Sequence, residues 1–430
     1  MDKTLSRRDF FRVGVGAGIA ANLAKTALAA EIAKPVRLGF IGVGGRGTYL
    51  LRLILNVPGV EVPAICDINE AHLSRAQTVV QEARGSRPAG YSQSPTDYRK
   101  MLERNDLDAI VIATPMQLHA VMSVDALRAG KNALSEVAAA CTLEECWALV
   151  EAVEETKKLY MLSENYCYYR PCMMILNMVE QGVFGDLTYA ECGYVHDCRP
   201  IKFESDGSLT WRGELARDYI GNLYPTHSLG PVAQWMGINR HDRLVSLVSM
   251  ATRQASIERY AAMHFPKDSS PAKVKFAVGD STSTLIETAK GAVIDLRYDT
   301  ASARPHPSTT YNSLQGLKAS YESDGDRIWI EGVSNGYDWE PLGKYSDKYE
   351  HPKWKRWQEE AEKTEHGGAD FFIVREFVEA VRAGGPPPID VYDAVTWSSI
   401  IPLSAESIRG GGKPIEVPDF TRGKWNKAKA

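Results

Sequence analysis

Side chains that can bind a sugar and move its protons are concentrated in the middle of the chain. Residues 165–170 combine an amide, three tyrosines and an arginine. Tyr194 stands near His196, Arg212 follows a tryptophan, and residues 221–227 read Gly-Asn-Leu-Tyr-Pro-Thr-His. Sugars are recognised by such mixtures of aromatic faces, hydroxyls, arginine and histidine. Each residue alone also has a structural explanation, because tyrosines commonly fill cores and single histidines are more often structural than catalytic.

A glycine-rich loop lies between a predicted strand and a predicted helix near the start of the chain. The apolar run from Val36 to Ile41 predicts a buried strand, and it ends in Gly-Val-Gly-Gly-Arg-Gly at residues 42–47. A helix is predicted from Thr48 to Val57 and a second strand from Val60 to Cys66, which Asp67 follows. This order of elements, with an acidic residue 20 positions after the last glycine, is the context in which a GxGxxG motif binds a dinucleotide.

The residue types in this loop favour a nicotinamide dinucleotide. Gly42 allows the tight turn, and Gly44 lets the backbone approach a pyrophosphate, which the N-terminus of the following helix stabilises. Asp67 can accept hydrogen bonds from an adenosine ribose and repels a 2'-phosphate, so the motif favours NAD over NADP. The alternative is a glycine-rich turn that binds nothing, and the complete arrangement of elements disfavours it. We assign no metal site.

Alternating strands and helices continue through the first half of the chain. Further strands are predicted at Asp108 to Ala113, Asn132 to Val137 and Tyr160 to Ser163, with helices ending at Gly130 and Lys157. The pattern predicts an α/β Rossmann domain with a doubly wound parallel sheet. Ligands bind at the carboxyl edge of such a sheet. The loops after its strands carry Thr114, His119, Glu136 and Asn165.

The second half of the chain has the pattern of a mostly antiparallel sheet. Alternating strands are predicted at Leu187 to Val195, Leu244 to Thr252, Ser283 to Ala289, Ala292 to Tyr298, Gly316 to Glu322 and Arg327 to Glu331. Lys290-Gly291 and Asp324-Gly325 are predicted hairpin turns. We expect an α+β domain with an open sheet. The change of pattern places the boundary between residues 31–163 and residues 164–430.

The first 30 residues have the pattern of a bacterial twin-arginine export signal. Arg7 and Arg8 precede a largely apolar run from Val13 to Ala24 and the small-x-small sequence at residues 27–29. The run is shorter than the roughly 18 residues that span a bilayer, so we expect cleavage and no stable membrane insertion afterwards. The sequence therefore predicts the twin-arginine export machinery as a partner and a periplasmic or secreted mature protein.

The charge composition excludes nucleic acid as a partner. The 430 residues carry 50 basic and 54 acidic side chains, a net charge of −4, so no global positive field attracts nucleic acid.

The seven cysteines form no CxxC pair, and an odd number cannot all pair within the chain. Proteins that use the twin-arginine route fold in a reducing compartment. We therefore expect mostly buried thiols, with a disulfide formed after export as the alternative.

These motifs resemble the superfamily of glucose-fructose oxidoreductase, inositol dehydrogenase and MocA, and within it glycoside hydrolase family 109. The superfamily features are the glycine loop, Asp67, Thr114-Pro115 with His119, and Glu136. The narrower features are Glu136-Val137, Glu164-Asn165, Tyr194 to Asp197, Gly221 to His227 and His351 to Trp354. Where the superfamily has Glu-Lys-Pro and D-x-x-x-H, this chain has Val137 and Leu223. Both differences disfavour a dehydrogenase of the inositol type.

The resemblance implies two sets of contacts. Beside Gly42 and Gly44, the NAD contacts would be Arg46, Gly47, Asp67, Met116 to His119, Glu136, Val137 and Asn165. The substrate site would comprise Tyr194, Arg212, Tyr224, Pro225, Thr226 and His227. A further substrate contact, usually a tyrosine shortly after an Arg-Pro pair, falls here at His306, with Tyr311 nearby as a substitute. This departure leaves the sugar undetermined.

Known members of family 109 include enzymes that remove terminal α-linked N-acetylgalactosamine, and the resemblance implies a redox-assisted mechanism. The sugar loses a hydride from carbon 3 to NAD, the ketone acidifies the proton on carbon 2, the leaving group departs, water adds and the hydride returns. His227, with an unperturbed pKa of about 6.5, is assigned to the proton of the carbon 3 hydroxyl. Tyr224 or Tyr194 is assigned to carbon 2, and Arg212 to sugar oxygens or enolate charge.

Two other functions are compatible with the sequence. One is an exported sugar oxidoreductase that couples two half-reactions, and the other is a non-catalytic sugar-binding protein that keeps NAD as a structural group. Free NAD is scarce outside the cytoplasm, so export favours an enzyme that regenerates a tightly held cofactor. By analogy with the superfamily, the open sheet face can pair copies of the chain into a homo-oligomer.

Overall fold

The structure, a computed structural model, describes residues 35–305 and 310–426. The predicted export signal and His306 lie outside the described residues. The described chain contains two sheets, one of six strands and one of nine. No helix in the described ranges is long and apolar enough to cross a membrane.

The first half of the chain forms the doubly wound parallel sheet that the sequence predicts. Its strands are β1 (Val36–Ile41), β2 (Val60–Cys66), β3 (Ala89–Tyr91), β4 (Ala109–Ile112), β5 (Asn132–Ser135) and β6 (Tyr160–Leu162). Its helices are α1 (Gly45–Leu55), α2 (Glu70–Arg84), α3 (Tyr98–Leu102), α4 (His119–Arg128) and α5 (Leu143–Thr156). The strand order is β3-β2-β1-β4-β5-β6 and every neighbouring pair is parallel. The order reverses between β1 and β4, which is where such sheets bind their ligands.

Local sequence signals account for the helix ends in this domain. Asn69 caps α2 by accepting the N–H groups of the first turn. Thr142 and Glu145 form a capping box at the start of α5. In contrast, α1 opens on Gly44 and receives no side-chain cap from any described residue. Its first N–H groups are therefore available to a ligand.

The second half of the chain forms the open, mostly antiparallel sheet that the sequence predicts. Its strands are β7 (Leu187–Val195), β8 (Leu244–Ala251), β9 (Thr282–Thr288), β10 (Val293–Asp299), β11 (Thr310–Gly316), β12 (Ala319–Glu322), β13 (Arg327–Ile330), β14 (Glu340–Pro341) and β15 (Ile415–Glu416). The order is β14-β13-β12-β11-β7-β10-β9-β8-β15. Only β7 and β10 pair in parallel within the described sheet, and both predicted hairpins are present.

The prediction of one strand from Gly316 to Glu322 is wrong. Gly316 ends β11, and β12 begins only at Ala319. A side chain at Gly316 would place its Cβ 2.3 Å from the carbonyl oxygen of Phe184, so the chain passes very close to its neighbour there before it turns. The sequence pattern also missed β11, because this strand is largely polar although it lies next to the central strand β7.

Helices from the second half pack against the nucleotide domain. The helices after residue 168 are α6 (Arg170–Glu180), α7 (Trp211–Asp218), α8 (Thr226–Trp235), α9 (Ser256–His264), α10 (Ser346–Tyr349), α11 (Pro352–Ala361), α12 (Ala369–Ala383), α13 (Val391–Ser398) and α14 (Ile400–Arg409). The helix α12 packs on α1 and β1, and α13 packs on α5 and β6. One apolar core therefore runs through both halves, from Val36 to Phe420.

Candidate active site

The glycine loop has a geometry that only glycine permits at two positions. Gly42 has a φ of 84°, in the left-handed region, and a Cβ there would lie 2.7 Å from the carbonyl oxygen of Ala113. A Cβ at Gly47 would lie 2.0 Å from the carbonyl oxygen of Gly42. At Gly45 a Cβ would meet no described atom within 4 Å, so this part of the loop faces open space. The loop is therefore tight on the protein side and accessible on the other.

Asp67 follows β2 and is bound to this loop. One carboxylate oxygen accepts the N–H of Val43 at 2.7 Å, and the other accepts the N–H of Asn69 at 2.8 Å. A carboxylate has about four acceptor positions, so Asp67 can still accept the hydroxyls of a ribose. Its negative charge beside the loop repels an additional phosphate.

A cleft of about 480 Å³ lies beside the first turns of α1. This volume is within the roughly 300–1,000 Å³ that small-molecule sites occupy. The cleft is lined by Gly45, Thr48, Tyr49, Arg52, His72, Arg75 and Glu365. Two arginines beside an uncapped helix N-terminus make this cleft favourable to the phosphates of a dinucleotide.

Arg46 is held by two carboxylates from distant parts of the chain. Its Nε donates to Glu136 at 2.8 Å, and its two terminal nitrogens donate to Asp370 at 3.0 and 2.7 Å. Ser163 also donates to Glu136, at 3.2 Å. Burial acts against the charge of Asp370, but hydrogen bonds from His366 and Arg46 hold the pKa of this carboxyl below its usual range. The Arg46 side chain thus anchors the loop, and its backbone lies in the first turn of α1, where a phosphate would bind.

His119 joins two loops at the carboxyl edge of the first sheet. Its ring nitrogens lie 2.8 Å from the carbonyl oxygens of Thr114 and Ala138. The side chain is fully buried, and burial lowers the pKa of its imidazole. His119 therefore holds these two loops in position. Met116 and Val137, on the same loops, are also buried.

Buried polar atoms at this edge have no partner among the described residues. They are Thr114 Oγ1, Gln117 Oε1, Glu164 Oε2, Asn165 Oδ1 and Thr226 Oγ1. Buried polar groups are normally hydrogen-bonded, so unpaired atoms at a ligand edge indicate a missing ligand. Together with the uncapped helix and the cleft, they fit a nicotinamide dinucleotide, which the glycine loop and Asn165 would both help to hold.

His227 lies at the start of α8 and is bound by Glu164, which directly follows β6. The Nδ1 atom of His227 is 2.7 Å from Glu164 Oε1, and Glu164 is fully buried. The same oxygen accepts the N–H of Tyr166 at 3.1 Å. A carboxylate can only accept, so Nδ1 carries the hydrogen and Nε2 presents a lone pair. No described residue is hydrogen-bonded to Nε2, which is therefore able to take a proton from a substrate.

Three tyrosine rings surround the His227 imidazole. Ring centroids of Tyr166, Tyr194 and Tyr224 lie 4.5, 5.5 and 4.9 Å from it. Tyr194 and Tyr224 are also in contact with each other, at 5.2 Å. Burial raises the pKa of both Tyr194 and Tyr224 well above the usual range for tyrosine. Their hydroxyl groups stay protonated and can donate hydrogen bonds to sugar oxygens.

Arg212 lies at the start of α7, next to this cluster. Its guanidinium stacks on the ring of Trp211, 4.1 Å from the centroid. The carbonyl oxygen of Trp211 accepts a hydrogen bond from Gln117 at 3.5 Å, so α7 contacts the cofactor edge. Pro225 precedes α8, and Thr226 is buried in its first turn. The structure thus brings Tyr194, Arg212, Tyr224, Pro225, Thr226 and His227 into one region.

Tyr311 does not belong to this region, so its expected role as a substitute substrate contact is wrong. In the sheet register Tyr311 pairs with Gly193, and Tyr194 pairs with Thr310. Successive side chains on a strand point to opposite faces, so Tyr311 lies on the face opposite Tyr194. Its ring covers Gly193, where a Cβ would come within 2.4 Å of it.

The sequence pattern gives no role to Glu164 or Tyr166, the two further partners of His227. Glu164 directly follows a predicted strand, and this position was the one feature of the sequence that could have indicated a functional role.

All seven cysteines are free thiols, and all except Cys172 are buried. The described residues contain no group of three or more His, Cys, Asp or Glu that could hold a metal ion.

Comparisons with known proteins agree with both domains. Residues 36–164 match the oxidoreductase family with an NAD-binding Rossmann fold, and residues 168–427 match the C-terminal domain of glycosyl hydrolase 109. A levoglucosan dehydrogenase solved in complex with NADH has the same fold, with a TM-score of 0.68 and 18% identity over 90% of this chain and 100% of that chain. The first domain is an NAD-binding Rossmann domain.

Relatives with much higher identity match almost the whole chain. A glycosyl hydrolase family 109 protein of Solibacter usitatus is 40% identical over 99% of this chain and 99% of its own length. An alpha-N-acetylgalactosaminidase of Shewanella oneidensis is 38% identical over 99% of this chain and 98% of its own length. With the second domain matched nearly from end to end, the chain belongs to glycosyl hydrolase family 109.

Proposed function

We propose that this chain is an exported, NAD-dependent glycosidase that cleaves a terminal glycoside, either an α-N-acetylgalactosaminide or a related sugar. The observation that carries the proposal is the Glu164–His227 pair, which places a proton acceptor among three tyrosines at the cofactor edge. When bound, NAD supplies a hydride acceptor for carbon 3 of the sugar and later returns the hydride. The net reaction is then hydrolysis, with no external oxidant or reductant.

His227 takes the proton of the carbon 3 hydroxyl as this carbon is oxidised. Its Nε2 accepts the proton, and the carboxylate of Glu164, 2.7 Å from Nδ1, stabilises the imidazolium that forms. The ketone acidifies the proton on carbon 2, which a base removes as the leaving group departs by elimination. The departing oxygen receives a proton, and water then adds its hydroxyl to carbon 1 and its hydrogen to carbon 2 of the unsaturated sugar. On the return of the hydride, the imidazolium gives its proton back to the oxygen on carbon 3.

Tyr194 and Tyr224 donate to oxygens of the sugar in this proposal. Burial favours their protonated form, so the role at carbon 2 that the sequence suggested would require one of them to lose its proton first. Arg212 shares a cavity wall with these two tyrosines, and its guanidinium stacks on Trp211. It stabilises negative charge that develops on the sugar when carbon 2 loses its proton.

A panel of α- and β-p-nitrophenyl glycosides, incubated with the purified protein without added NAD, tests the proposal. We expect release of nitrophenol from one member of the panel. The His227→Ala variant should lose about 10²- to 10⁴-fold in kcat, the usual contribution of a general base. Deuterium on carbon 2 or carbon 3 should slow cleavage, and an unchanged rate contradicts the redox route.

Two other outcomes identify the alternative functions. Accumulation of NADH with free sugars, and no cleavage, indicates a sugar oxidoreductase. Sugar binding with neither reaction indicates a binding protein.

The export part of the proposal rests on Arg7-Arg8 and the following apolar run. Cell fractionation should find a chain without its first 30 residues in the periplasm or medium, and a full-length cytoplasmic chain contradicts export.

A further inference from the structure

A second cavity adjoins the His227 cluster and shares Tyr194, Tyr224 and Arg212 with it, but the proposed reaction gives no role to Lys202 in its wall. It has a volume of about 140 Å³, and Tyr194 and Tyr224 form part of its wall. This is below the roughly 300 Å³ at which small-molecule sites begin, so the cavity admits a substituent of the sugar but no second sugar ring. The wall also includes Lys202, Arg212, Trp211, Cys198, Tyr298 and Thr300.

Lys202 is the unusual group in this wall. The residue is only 3% exposed, and its Nζ donates to Thr300 Oγ1 at 3.2 Å. An ammonium group has three hydrogens to donate, and among the described residues Lys202 Nζ donates only to Thr300. Burial lowers the pKa of Lys202 to about 8, and an anion beside the group would favour its protonated form. A buried ammonium with unused donors requires a partner.

The charge of the cavity is positive. Arg212 is a second cation in its wall, and no described Asp or Glu side chain lines it. The charge of Asp197 acts on Lys202, but the carboxylate of Asp197 is paired with Arg199 at 2.7 Å. Two cations close together in a buried site repel each other, and an anion between them would relieve this repulsion.

A second buried lysine shows what a structural lysine looks like in this protein. Lys131 is 7% exposed, and its Nζ donates to the carbonyl oxygen of Arg104 at 2.6 Å. Lys131 lies outside the cavity wall, whereas Lys202 is part of it. Lys131 is therefore a matched control, a buried and hydrogen-bonded lysine that does not line the cavity.

We propose that this cavity binds an acidic substituent of the sugar, a carboxylate or a sulfate ester, between Lys202 and Arg212. The inference rests on the proposed glycosidase function and names the substrate class as an acidic glycoside. Charge-assisted hydrogen bonds from the two cations hold the anion, and Trp211 and Tyr298 pack against the rest of the substituent. Lys202 is thus a residue that determines specificity.

The test compares kcat/KM for three nitrophenyl α-galactosides: the neutral galactoside, the galacturonide and the galactoside 6-sulfate. We expect the wild-type protein to prefer one acidic substrate by roughly 10- to 100-fold, the range of a hydrogen bond to a charged group. The preferred substrate tells carboxylate from sulfate. In Lys202→Met this preference should disappear, whereas the matched control Lys131→Met should retain it.

The ratio of acidic to neutral activity separates specificity from folding. A Lys202→Met protein that loses both activities by the same factor, or a wild-type protein with no acidic preference, overturns the inference. Calorimetric titration with free galacturonate and galactose covers the case in which no glycoside is cleaved. Tighter binding of galacturonate that Lys202→Met abolishes would then support the acidic site although the glycosidase proposal has failed, and equal binding of both sugars would refute it.

Discussion

At the residue scale, the role of His227 depends on Glu164. The carboxylate is fully buried, and its Oε1 accepts hydrogen bonds from Nδ1 of His227 and from the N–H of Tyr166. The other oxygen, Oε2, has no partner among the described residues. The hydrogen bond to Glu164 therefore fixes the orientation of the His227 ring and leaves Nε2 facing away from the carboxylate.

Glu164→Gln should separate the charge from the shape. The amide can still accept from Nδ1, but it no longer stabilises the imidazolium, so we expect kcat to fall by about 10²- to 10⁴-fold, as for loss of the base itself. KM should change much less, because the sugar contacts remain. Steady-state kinetics with the glycoside found in the panel measures both values.

The control for this variant is Glu322→Gln, which changes a carboxylate paired with Arg327 on a surface hairpin. We expect its kinetics to equal those of the wild type, because the pair lies away from the site. A Glu164→Gln protein with normal melting temperature and normal kcat would show that His227 works without its carboxylate partner.

At the element scale, the cofactor site depends on how closely α1 approaches β1. Gly47, in the first turn of the helix, lies against the carbonyl oxygen of Gly42 at the end of the strand. Gly45, two positions earlier, faces open space. The same helix turn therefore has one face that cannot accept a methyl group and one that can.

Gly47→Ala should push α1 away from the sheet. The 2.0 Å contact forces the backbone to move, so we expect a loss of about 1–3 kcal/mol in the free energy of unfolding and weaker NAD binding. Urea unfolding and the NAD content of the purified protein measure the two effects. Gly45→Ala should leave the free energy of unfolding unchanged or slightly higher. Equal stability of the two variants would contradict this account of the loop.

At the scale of the whole molecule, the end of the chain completes the cofactor domain. Asp370, at the start of α12, binds Arg46 through two hydrogen bonds and also accepts from His366 at 2.7 Å. The residues Arg46 and Asp370 are 324 positions apart. Packing of α12 on α1 therefore links the glycine loop to the second half of the chain.

This link should make stability depend on pH. The hydrogen bond to Asp370 raises the pKa of His366 above its unfolded value of about 6.5. A histidine whose pKa is higher in the folded than in the unfolded state stabilises the fold fully at pH values below its unfolded pKa. This stabilisation is lost as the pH rises through the folded pKa. His366 is 48% exposed, so solvent screening limits the effect. His366→Gln should lower the free energy of unfolding by about 0.2–1 kcal/mol near pH 5.5.

Near pH 9 the same variant should match the wild type, because His366 is neutral in both states. Urea unfolding at the two pH values measures the difference. His264→Gln serves as the control, since His264 is an exposed histidine that hydrogen-bonds only a carbonyl oxygen, that of Tyr260, among the described residues. A destabilisation by His366→Gln that is equal at both pH values would rule out the ion pair as its cause.

Much of the fold could be predicted because the relevant signals are local. The apolar run before Gly42, the acid after β2 and the alternation of strands and helices all act over one or two elements, and the structure confirms both sheets. The short strands β3, β14 and β15 were not predicted, and neither was the longer strand β11, whose polar residues carry no hydrophobic period. Its neighbour β7 supplies the pairing that makes it a strand.

The sequence by itself determined the residue types of the site: the glycine loop, Asp67, the tyrosines and His227. Only the tertiary structure decided their partners. Glu164 meets His227 across 63 residues, and Asp370 meets Arg46 across 324, because helices and strands that are distant in the chain pack together. The same packing buries Lys202 near Arg212 and places Tyr311 on the opposite face from Tyr194. The spacing of residues along the chain does not predict such contacts, because they form only when the apolar faces of distant helices and strands pack together.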